Sequence, residues 1–374
     1  MRSQETGRKV KIAVIAFDLS IGGIQEVVTN YTARLDPEKF EAAVFAGKPV
    51  AGKYRSVLEK AGVRVTELPA RAESKKTYYA ALRKALAGEK YDIAHIHGSN
   101  AAVTPELVIA KLCGIPQRIV HCHSTIPWNK TAHTLMMPVF KRVYTKAFAC
   151  GEKAGEWIFG RGNFTVIRNG FSVEKFLFSP EIRRKVRAEL GLDGRFVIGH
   201  VGGLNPIKNQ SFIMEVFEEY RKTHPEAYLL LAGDGPDREM LEAKAAASPA
   251  RDHIRLFGNT DHPEKLLAAM DCFLFPSTAE GLPIALLEAQ AAGLPCVISD
   301  VITDEAVLSE DVRKMSLNRS AAEWSRALPE APRTDEERAN LPRQTAEKLN
   351  AYSIDACAGA LEEEYLKCAE AGRK

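Results

Sequence analysis

The sequence predicts an α/β protein with two domains, each built on a parallel sheet. Short apolar runs rich in β-branched residues alternate with longer runs of helical periodicity along all 374 residues. This alternation is typical of parallel sheets that are covered by helices on both faces. The runs form two series, because Asn169-Gly170 ends the first and the segment from Phe171 to Pro180 indicates a linker.

Each predicted strand is a short apolar run that is followed by a loop and a helical segment. The first series contains Val10 to Phe17, Glu41 to Ala46, Arg64 to Leu68, Ile93 to His97, Arg118 to Cys122, Ala147 to Cys150 and Thr165 to Arg168. The second contains Phe196 to Val201, Ala227 to Ala232, Ile254 to Phe257, Cys272 to Phe275, Cys296 to Ser299 and Arg313 to Ser316. The predicted domains therefore span residues 1–170 and 171–350, and a last segment, 351–374, carries a final helix from Ser353 to Ala369.

Composition excludes several classes of protein. A hydrophobic fraction of 45% and a charged fraction of 26% describe an ordinary globular chain. A net charge of +3 argues against nucleic acid as the main partner. Most of the seven cysteines lie in apolar runs and none forms a CxxC pair, so we expect reduced core thiols. The polar start up to Lys9 lacks the apolar core of a signal peptide, and no apolar run approaches the ~20 residues of a membrane span. We therefore expect a cytoplasmic protein.

One strand-loop-helix stretch carries the strongest functional signal. Pro283 suits the first position of a helix, and Gly293 followed by Pro295 suits its end. Nearly every residue from 283 to 292 is apolar or small, so we expect this helix to be buried nearly all round and Glu288 to be a charge in the interior. A buried carboxylate needs hydrogen-bond donors, and a ligand diol would supply two.

A second glutamate precedes that helix. Glu280 lies in the loop at the carboxyl end of a strand, where open α/β sheets bind ligands. By itself Glu280 is better explained as a solvated loop residue, and Glu288 fits a carboxylate that caps a backbone amide or pairs with a Lys or Arg. Two glutamates separated by seven residues and followed by Ala-Gly-Leu-Pro form a more specific pattern than either alone.

This pattern resembles the E-x7-E motif of the family 4 glycosyltransferases, and residues 288–304 are similar to bacterial exopolysaccharide members of that family. The resemblance is strong from Arg195 to Asp304 and looser in the first domain. It implies the GT-B fold, in which two Rossmann-like domains face each other across a cleft and the final helix packs back on the first domain. It also implies that the first domain binds the acceptor, that Glu280 contacts the donor sugar and that Glu288 contacts the ribose. The residues between the two glutamates then line the substrate site: Gly281, Leu282, Pro283 and Ile284.

Glycine-rich loops follow several predicted strands. Gly22 and Gly23 lie between a strand and a helical run, so their amides could face an anion, although a plain turn explains them about equally well. Gly233 opens a Gly-Asp-Gly turn, but Arg238 stands where a dinucleotide fingerprint requires its third glycine, which argues against a dehydrogenase. The resemblance implies that the Gly22-Gly23 loop approaches the donor phosphates and the acceptor. It places Gly233 and the loop with Asn259 and Thr260 near the nucleotide.

The segment Gly202-Gly203-Leu204-Asn205-Pro206-Ile207-Lys208 ends the first strand of the second domain. A lysine there can hold a diphosphate as a point charge, while a surface lysine is the ordinary interpretation of Lys208 alone. The resemblance implies two cations on the diphosphate, an arginine and a lysine five residues later. Lys208 matches, and Asn205 joins it in the predicted site, but Gly203 occupies the position of the arginine. A backbone conformation with positive φ at position 203 would be one explanation for the glycine there.

Histidines follow a strand of the first domain in the run His121-Cys122-His123-Ser124-Thr125. In a strand, His121 and His123 point the same way and Cys122 points the opposite way, which argues against a zinc site. The resemblance implies a histidine that touches the donor sugar or the acceptor. His123 is the better match and His121 the alternative, and a structural histidine remains open. His95 and His97 end another strand in the same ambiguous way.

The sequence contains no Asp-x-Asp, so the usual divalent-metal clamp for a diphosphate is absent and no metal or cofactor is expected. Leaving-group charge then falls on Lys208 and on the helix amino terminus from Leu282 to Ala285. We expect a retaining hexosyltransferase that uses a nucleotide-diphosphate sugar, with uridine as its base, in surface polysaccharide synthesis. Retention is implied by the resemblance.

Two other functions and one location stay open at this stage. A nucleotide-sugar epimerase of the same fold needs no acceptor, and a non-catalytic sugar-nucleotide binding module is suggested by Gly203. A saccharide or lipid-linked saccharide is the expected acceptor. A lipid-linked acceptor would bring the enzyme to the cytoplasmic face of the inner membrane, with Lys141, Arg142 and Lys146 as candidate contacts or as a solvated helix face.

Overall fold

The computed structural model describes residues 8–20, 22–124 and 130–372. It divides into two compact units: unit 1 comprises Met1–Gly170 with Ile354–Lys374, and unit 2 comprises Phe171–Ser353. Each unit contains one parallel sheet with helices between its strands. The predicted fold class of two α/β domains is therefore confirmed.

The sheet of unit 1 has seven strands in the order β3-β2-β1-β4-β5-β6-β7. Their bounds are β1 Val10–Ala16, β2 Phe40–Gly47, β3 Arg64–Leu68, β4 Ile93–Gly98, β5 Gln117–Cys122, β6 Lys146–Ala149 and β7 Thr165–Val166. The chain adds β2 and β3 on one side of β1 and then returns to add β4 on the other side. The switch point of this sheet therefore lies between the carboxyl ends of β1 and β4, which is where open α/β sheets bind ligands.

In the described part of unit 1, six helices follow the strands before the chain enters unit 2. They are α1 Gly23–Thr32, α2 Gly52–Lys60, α3 Lys75–Ala87, α4 Thr104–Leu112, α5 Lys130–Val143 and α6 Glu152–Phe159. Ser74 caps α3 by accepting a hydrogen bond from the backbone N–H of Thr77. Asn100 does the same for the 3₁₀ turn that leads into α4, where its side chain accepts from the N–H of Ala102.

The sheet of unit 2 has six strands in the order β10-β9-β8-β11-β12-β13. Their bounds are β8 Val197–Val201, β9 Tyr228–Ala232, β10 Ile254–Gly258, β11 Cys272–Phe275, β12 Cys296–Ser299 and β13 Val312–Met315. The four central strands are almost entirely buried, as their continuous apolar runs predict for a sheet covered on both faces. The switch point of this sheet lies between β8 and β11.

Nine helices belong to unit 2. They are α7 Val173–Phe176, α8 Pro180–Leu190, α9 Gln210–Arg221, α10 Arg238–Ala247, α11 Pro263–Ala269, α12 Ile284–Ala291, α13 Ala321–Ser325, α14 Asp335–Gln344 and α15 Ala346–Asn350. Gly293, with φ 68°, ends α12, and the N–H groups of Gly293 and Leu294 donate to the carbonyls of Gln290 and Ala289. This is the Schellman arrangement, which favours glycine at its left-handed position.

The last helix, α16 (Ile354–Gly372), belongs to unit 1. Its Tyr365 is buried against the sheet, with the hydroxyl 2.5 Å from Nδ1 of His95. Its Glu362 carboxylate accepts from the backbone N–H of Asp36, and Glu364 pairs with Lys146 at 2.9 Å. The prediction that the final helix packs on the first domain is confirmed. No helix in the described part of the chain is long and apolar enough to cross a bilayer.

Candidate active site

The loops that follow β8, β9, β10 and β11 carry every candidate residue of unit 2. Asn205 and Lys208 follow β8, and Gly233 follows β9. The loop after β10 carries Asn259 and Thr260, and the segment from Glu280 to Glu288 follows β11. Because these strands are parallel neighbours, their carboxyl ends lie along one edge of the sheet. The candidates of unit 2 therefore share that edge.

Lys208 and Glu280 form an ion pair across the switch point of unit 2. Nζ of Lys208 lies 2.6 Å from Oε1 of Glu280, and 4.9 Å from the centre of the Phe275 ring. The backbone joins the same two loops, since the N–H of Thr278 donates to the carbonyl of Ile207 at 2.8 Å. The two side chains are 19% and 13% exposed, so the pair is shielded but open to a ligand.

The segment between the two glutamates differs from the prediction at its helix start. Pro283 is the N-cap of α12 and has an extended conformation, and Ile284 is the first helical residue. Proline also suits the N-cap, because it has no N–H that would need a partner. The N–H groups of Leu286 and Leu287 donate to the carbonyl of Pro283, so the free amides of the first turn in the described residues are those of Ile284 and Ala285, directly after the loop that carries Glu280.

The prediction that Glu288 is buried in the interior is wrong. Glu288 is half-buried, as are Ile284 and Ala285 on the same stripe of α12, so one side of the helix is partly open. The buried polar residue of the helix is Gln290, which is 3% exposed. Its amide donates to the carbonyls of Leu286 and Ala306, and its oxygen accepts from the N–H of Leu308. Glu288 therefore faces a partly open surface where a ligand can reach it.

The glycines after β8 and β9 allow two loops to pack at backbone distance. A Cβ at Gly233, whose φ is 140°, would lie 1.9 Å from the carbonyl oxygen of Gly202. A Cβ at Gly235 would lie 2.3 Å from that of Leu204. Gly203 differs, because it is exposed and its φ lies outside the left-handed region. The suggestion that backbone conformation requires glycine at 203 is therefore wrong.

Two buried residues that the sequence did not single out hold the loop at Gly203. Nδ1 of His200 donates to the carbonyl of Leu274 at 3.0 Å, so its Nε2 is left as an acceptor. Burial lowers the pKa of His200 to about 3, which keeps the ring neutral. The amide nitrogen of Gln210 then donates to Nε2 of His200 at 3.4 Å and to the carbonyl of Gly203 at 2.9 Å. The glutamine at the start of α9 is the sequence feature from which this contact could have been predicted.

Two other candidates of unit 2, Asn205 and Thr260, have structural partners of their own. The side-chain oxygen of Asn205 accepts from the N–H groups of Ile207 and Lys208, which shapes the turn that carries Lys208. The hydroxyl of Thr260 accepts from the N–H of His262. Asn259 is exposed beside it. The amide nitrogen of Asn205 stays directed toward Gly203, where an added Cβ would lie 3.2 Å from it.

Gly22 and Gly23 start α1 at the switch point of unit 1. Gly22 is the N-cap with an extended backbone, φ 171°, and Gly23 is the first helical residue. A Cβ at Gly23 would meet nothing within 4 Å, and one at Gly22 would meet only the flexible Gln25 side chain. The fold therefore does not require these two glycines, and the bare backbone leaves room in front of a helix amino terminus.

Four histidines form a row on one face of the unit 1 sheet. His95 and His97 come from β4, His121 from β5, and His123 follows β5. Ring centres of His95 and His121 are 5.3 Å apart and those of His121 and His123 are 4.3 Å apart, in stacked arrangements. Burial lowers the pKa of each, that of His123 to about 4, so the row is neutral at physiological pH.

Nitrogen atoms of His95, His97 and His121 lie within 4.8 Å of one another. However, Nδ1 of His95 already contacts the hydroxyl of Tyr365, and Nδ1 of His97 contacts Nε2 of His123. Stacked rings also direct their in-plane lone pairs side by side rather than at one point. The arrangement favours a packed neutral row over a metal centre.

His123 is the member of the row at the carboxyl edge of the sheet. Its Nε2 lies 3.0 Å from Nδ1 of His97, and the Asn169 side chain raises its pKa against the larger effect of burial. His121, the alternative candidate, is fully buried against Phe148. The structure therefore places His123, and not His121, at the edge where Gly22 and Gly23 lie. Thr125, the end of the predicted motif, is outside the described residues.

Comparison with known proteins gives matches over most of the chain. The family model "Glycosyl transferases group 1" matches residues 182–348, and "Glycosyl transferase 4-like domain" matches residues 22–162. EpsF of Bacillus subtilis (strain 168), named as a glycosyltransferase, is 29% identical over 91% of this chain and 92% of its own. The UDP-Gal:alpha-D-GlcNAc-diphosphoundecaprenol alpha-1,3-galactosyltransferase of Escherichia coli is 27% identical over 80% of this chain and 81% of its own. Anabaena HepE, crystallised with UDP and glucose, is similar in fold, with a TM-score of 0.80 at 16% identity over 96% of this chain and all of HepE.

Proposed function

Because this chain belongs to the family 4 glycosyltransferases, with their GT-B fold, we propose that it is a retaining, metal-independent hexosyltransferase. Its donor is a nucleotide-diphosphate sugar, with uridine as the base. Its acceptor is a saccharide or a lipid-linked saccharide of surface polysaccharide synthesis. The observation that carries this proposal is the pair of Lys208 and Glu280 across the switch point of unit 2.

The pair and the start of α12 supply what a departing nucleoside diphosphate requires. The ammonium of Lys208 and the free amides at the start of α12 offer positive charge on adjacent loops. Such groups stabilise charge that develops on the leaving group, and they do so without a metal ion. Asn205 and Gly233 hold the loops, and the half-buried Glu288 accepts from the ribose hydroxyls.

Glu280 has two tasks in this proposal. Its Oε1 holds Lys208 at 2.6 Å before the donor binds, and its carboxylate contacts hydroxyls of the donor sugar afterwards. His123 of unit 1 touches the donor sugar or the acceptor as a neutral imidazole, since burial holds its pKa at about 4. The departing phosphate takes the proton of the acceptor hydroxyl. The Gly22-Gly23 loop approaches the same groups with its backbone amides.

The proposed acceptor site includes a surface for a lipid-linked substrate. Leu135 and Val139 of α5 are 70% and 44% exposed, and Lys141 and Arg142 follow them on the same helix. Exposed apolar side chains next to basic ones are typical of helices that lie on anionic bilayers. Lys146 is a weaker candidate, because Glu364 already pairs with it. The diphosphoundecaprenol in the name of the Escherichia coli relative supports a lipid-linked acceptor.

Calorimetry with a panel of nucleotide sugars and their free nucleoside diphosphates tests the donor assignment. We expect UDP to bind the native chain and to bind Lys208→Met at least tenfold more weakly, about the effect of one charge-assisted contact. Lys222→Met is the matched control, since Lys222 is an exposed lysine of the same unit that pairs with Glu219. Equal UDP affinity in both variants would contradict the role of Lys208.

Product analysis then separates the proposal from its alternatives. Incubation with donor alone should leave the sugar unchanged apart from slow hydrolysis, whereas an epimerase would release a rearranged sugar. Incubation with donor and a pool of glycan and lipid-linked acceptors should give a glycosylated product. Tight donor binding without turnover on any acceptor would favour a binding module.

A further inference from the structure

Arg71 lies at the switch point of unit 1, outside the residues assigned above. It belongs to the segment between β3 and α3, yet its guanidinium reaches across the sheet edge. The guanidinium carbon stacks 4.4 Å from the ring centre of Phe17, which follows β1, and Nη2 donates to the carbonyl of Ala102, which follows β4. Arg71 therefore bridges the two strands between which the sheet reverses its strand order.

The contacts of Arg71 hold it in place while part of it stays open. Nε donates to the hydroxyl of Tyr79 at 3.1 Å, and 20% of the side chain is exposed. Among the described residues no hydrogen bond involves Nη1 of Arg71. A guanidinium that is fixed over aromatic rings keeps a planar set of donors for a carboxylate or phosphate and loses little side-chain entropy on binding.

The charge of Arg71 is poorly compensated by its neighbour. Glu106 is the one carboxylate within ion-pair distance in the described part of the chain, with Oε1 3.5 Å from Nε. Glu106 is fully buried, and in the described part of the chain only its own backbone N–H and the hydroxyl of Tyr78 lie near enough to donate to its carboxylate. Burial raises the pKa of Glu106 to about 7, so near neutral pH it is protonated in much of the population and Arg71 then keeps its full charge.

We propose that Arg71 binds an oxyanion of the acceptor, a phosphate or a carboxylate, at the switch point of unit 1. The proposal rests on the proposed function and narrows its acceptor to an anionic one. Phe17 and Tyr79 form the aromatic wall beside the cation, and Gly22 and Gly23 begin on the same loop as Phe17. A neutral acceptor would leave the open side of Arg71 without a partner.

Ligand-observed NMR on the full chain saturated with UDP tests this inference. The probes are N-acetylglucosamine 1-phosphate, glucuronate and the neutral N-acetylglucosamine. We expect native protein to bind at least one charged probe about tenfold more tightly than the neutral sugar, and Arg71→Met to lose that preference. The charged probe that binds more tightly shows whether the natural acceptor carries a phosphate or a carboxylate. Arg161→Met is the control, because Arg161 is 89% exposed and lies beyond α6 at the opposite edge of the sheet.

Three further measurements keep a structural effect apart from a binding effect. Arg71→Lys keeps the charge and should retain part of the preference, which loss of folding alone would not produce. Glu106→Gln removes the negative charge next to Arg71 and should strengthen binding of the charged probe at pH 8. Melting curves accompany each variant. A native chain without preference for charged probes, or an Arg71→Met variant that retains the preference, would overturn the proposal.

The outcome is independent of whether the donor assignment is correct. UDP titration of the native chain tests the proposed function, and Arg71→Met should leave UDP affinity unchanged. If UDP does not bind, the donor assignment fails, while the difference between native and Arg71→Met protein still reports on the oxyanion site. If UDP binds and that difference is absent, only the oxyanion site fails.

Discussion

Replacing Glu106 by glutamine should change how the stability of the protein depends on pH. Glu106 lies in the first turn of α4, fully buried, with Arg71 at 3.5 Å as its ion-pair partner. Burial raises its pKa from 4.5 to about 7, with the attraction of Arg71 as the largest opposing effect. The ionised carboxylate is therefore less favourable in the folded protein than in the unfolded chain.

The sign and size of the effect follow from proton linkage. Between pH 4.5 and about 7 the folded state binds more protons at Glu106 than the unfolded state does, so the free energy of unfolding falls as pH rises. A difference of two to three pKa units corresponds to about 3 kcal/mol, at roughly 1.4 kcal/mol per unit. The decrease in the free energy of unfolding is complete above pH 7, and it does not occur in Glu106→Gln.

Urea denaturation of native and Glu106→Gln protein at pH 4 and pH 8 measures this difference. We expect the variant to gain about 3 kcal/mol relative to the native chain on going from the lower to the higher pH. Any constant cost of the glutamine amide cancels in that comparison. Glu38→Gln, at an exposed position, controls for the loss of one negative charge. A relative gain below about 1 kcal/mol would mean that Arg71 compensates the buried charge, and it would weaken the argument for an available guanidinium.

Four predictions concern the donor site. Glu288→Gln should lower donor affinity by about 1.5–3 kcal/mol, because an amide accepts more weakly from the ribose hydroxyls; unchanged binding of a folded variant in calorimetry would contradict the ribose role. Glu280→Gln should lower turnover but raise UDP affinity several-fold, because it releases Lys208, and a loss of UDP affinity would argue against competition for that lysine. Gly203→Arg should tighten UDP binding by about 1.5–3 kcal/mol at low salt with little loss of stability, since position 203 is exposed, its φ suits any residue and the added Cβ meets only the end of the Asn205 side chain at 3.2 Å. A melting curve shows whether Asn205 yields, and unchanged affinity across a salt series would show that this position does not face the phosphates. Turnover should persist in excess chelator, and activity that is lost in chelator and restored by magnesium or manganese would contradict transfer without a metal.

The strands were accessible from sequence because most of them are buried on both faces. A continuous apolar run such as that of β8 or β9 can be recognised without knowing its neighbours, and the predicted runs from 196 to 201 and from 227 to 232 start one residue before the observed strands. The helix stop at Gly293 was equally accessible, because a left-handed C-terminal residue favours glycine. These features depend on local chain chemistry.

The environments of individual side chains could not be predicted from the sequence in the same way. Glu288 and Gln290 stand two residues apart in one apolar helix, and composition alone gave both the same environment. The buried glutamine meets the backbone around Ala306 and Leu308, which come from beyond the next strand, while the open face of Glu288 depends on what the loops leave uncovered. The reach of Arg71 to Phe17 and Ala102 is similar, since three separate loops decide it.

The two switch points repeat one arrangement with different strengths. In unit 2, Lys208 and Glu280 are in direct contact at 2.6 Å and partly exposed, so an incoming diphosphate must compete with a carboxylate for the lysine. In unit 1, Arg71 and Glu106 are 3.5 Å apart, and the carboxylate is buried where ionisation is costly. An anion bound to Arg71 would make ionisation of Glu106 still less favourable. It would also neutralise Arg71 without having to break a close ion pair such as that of Lys208 and Glu280. In unit 2, Lys208 must leave Glu280 to bind the diphosphate. In unit 1, Glu106 can instead take up a proton, which frees Arg71 to bind the anion.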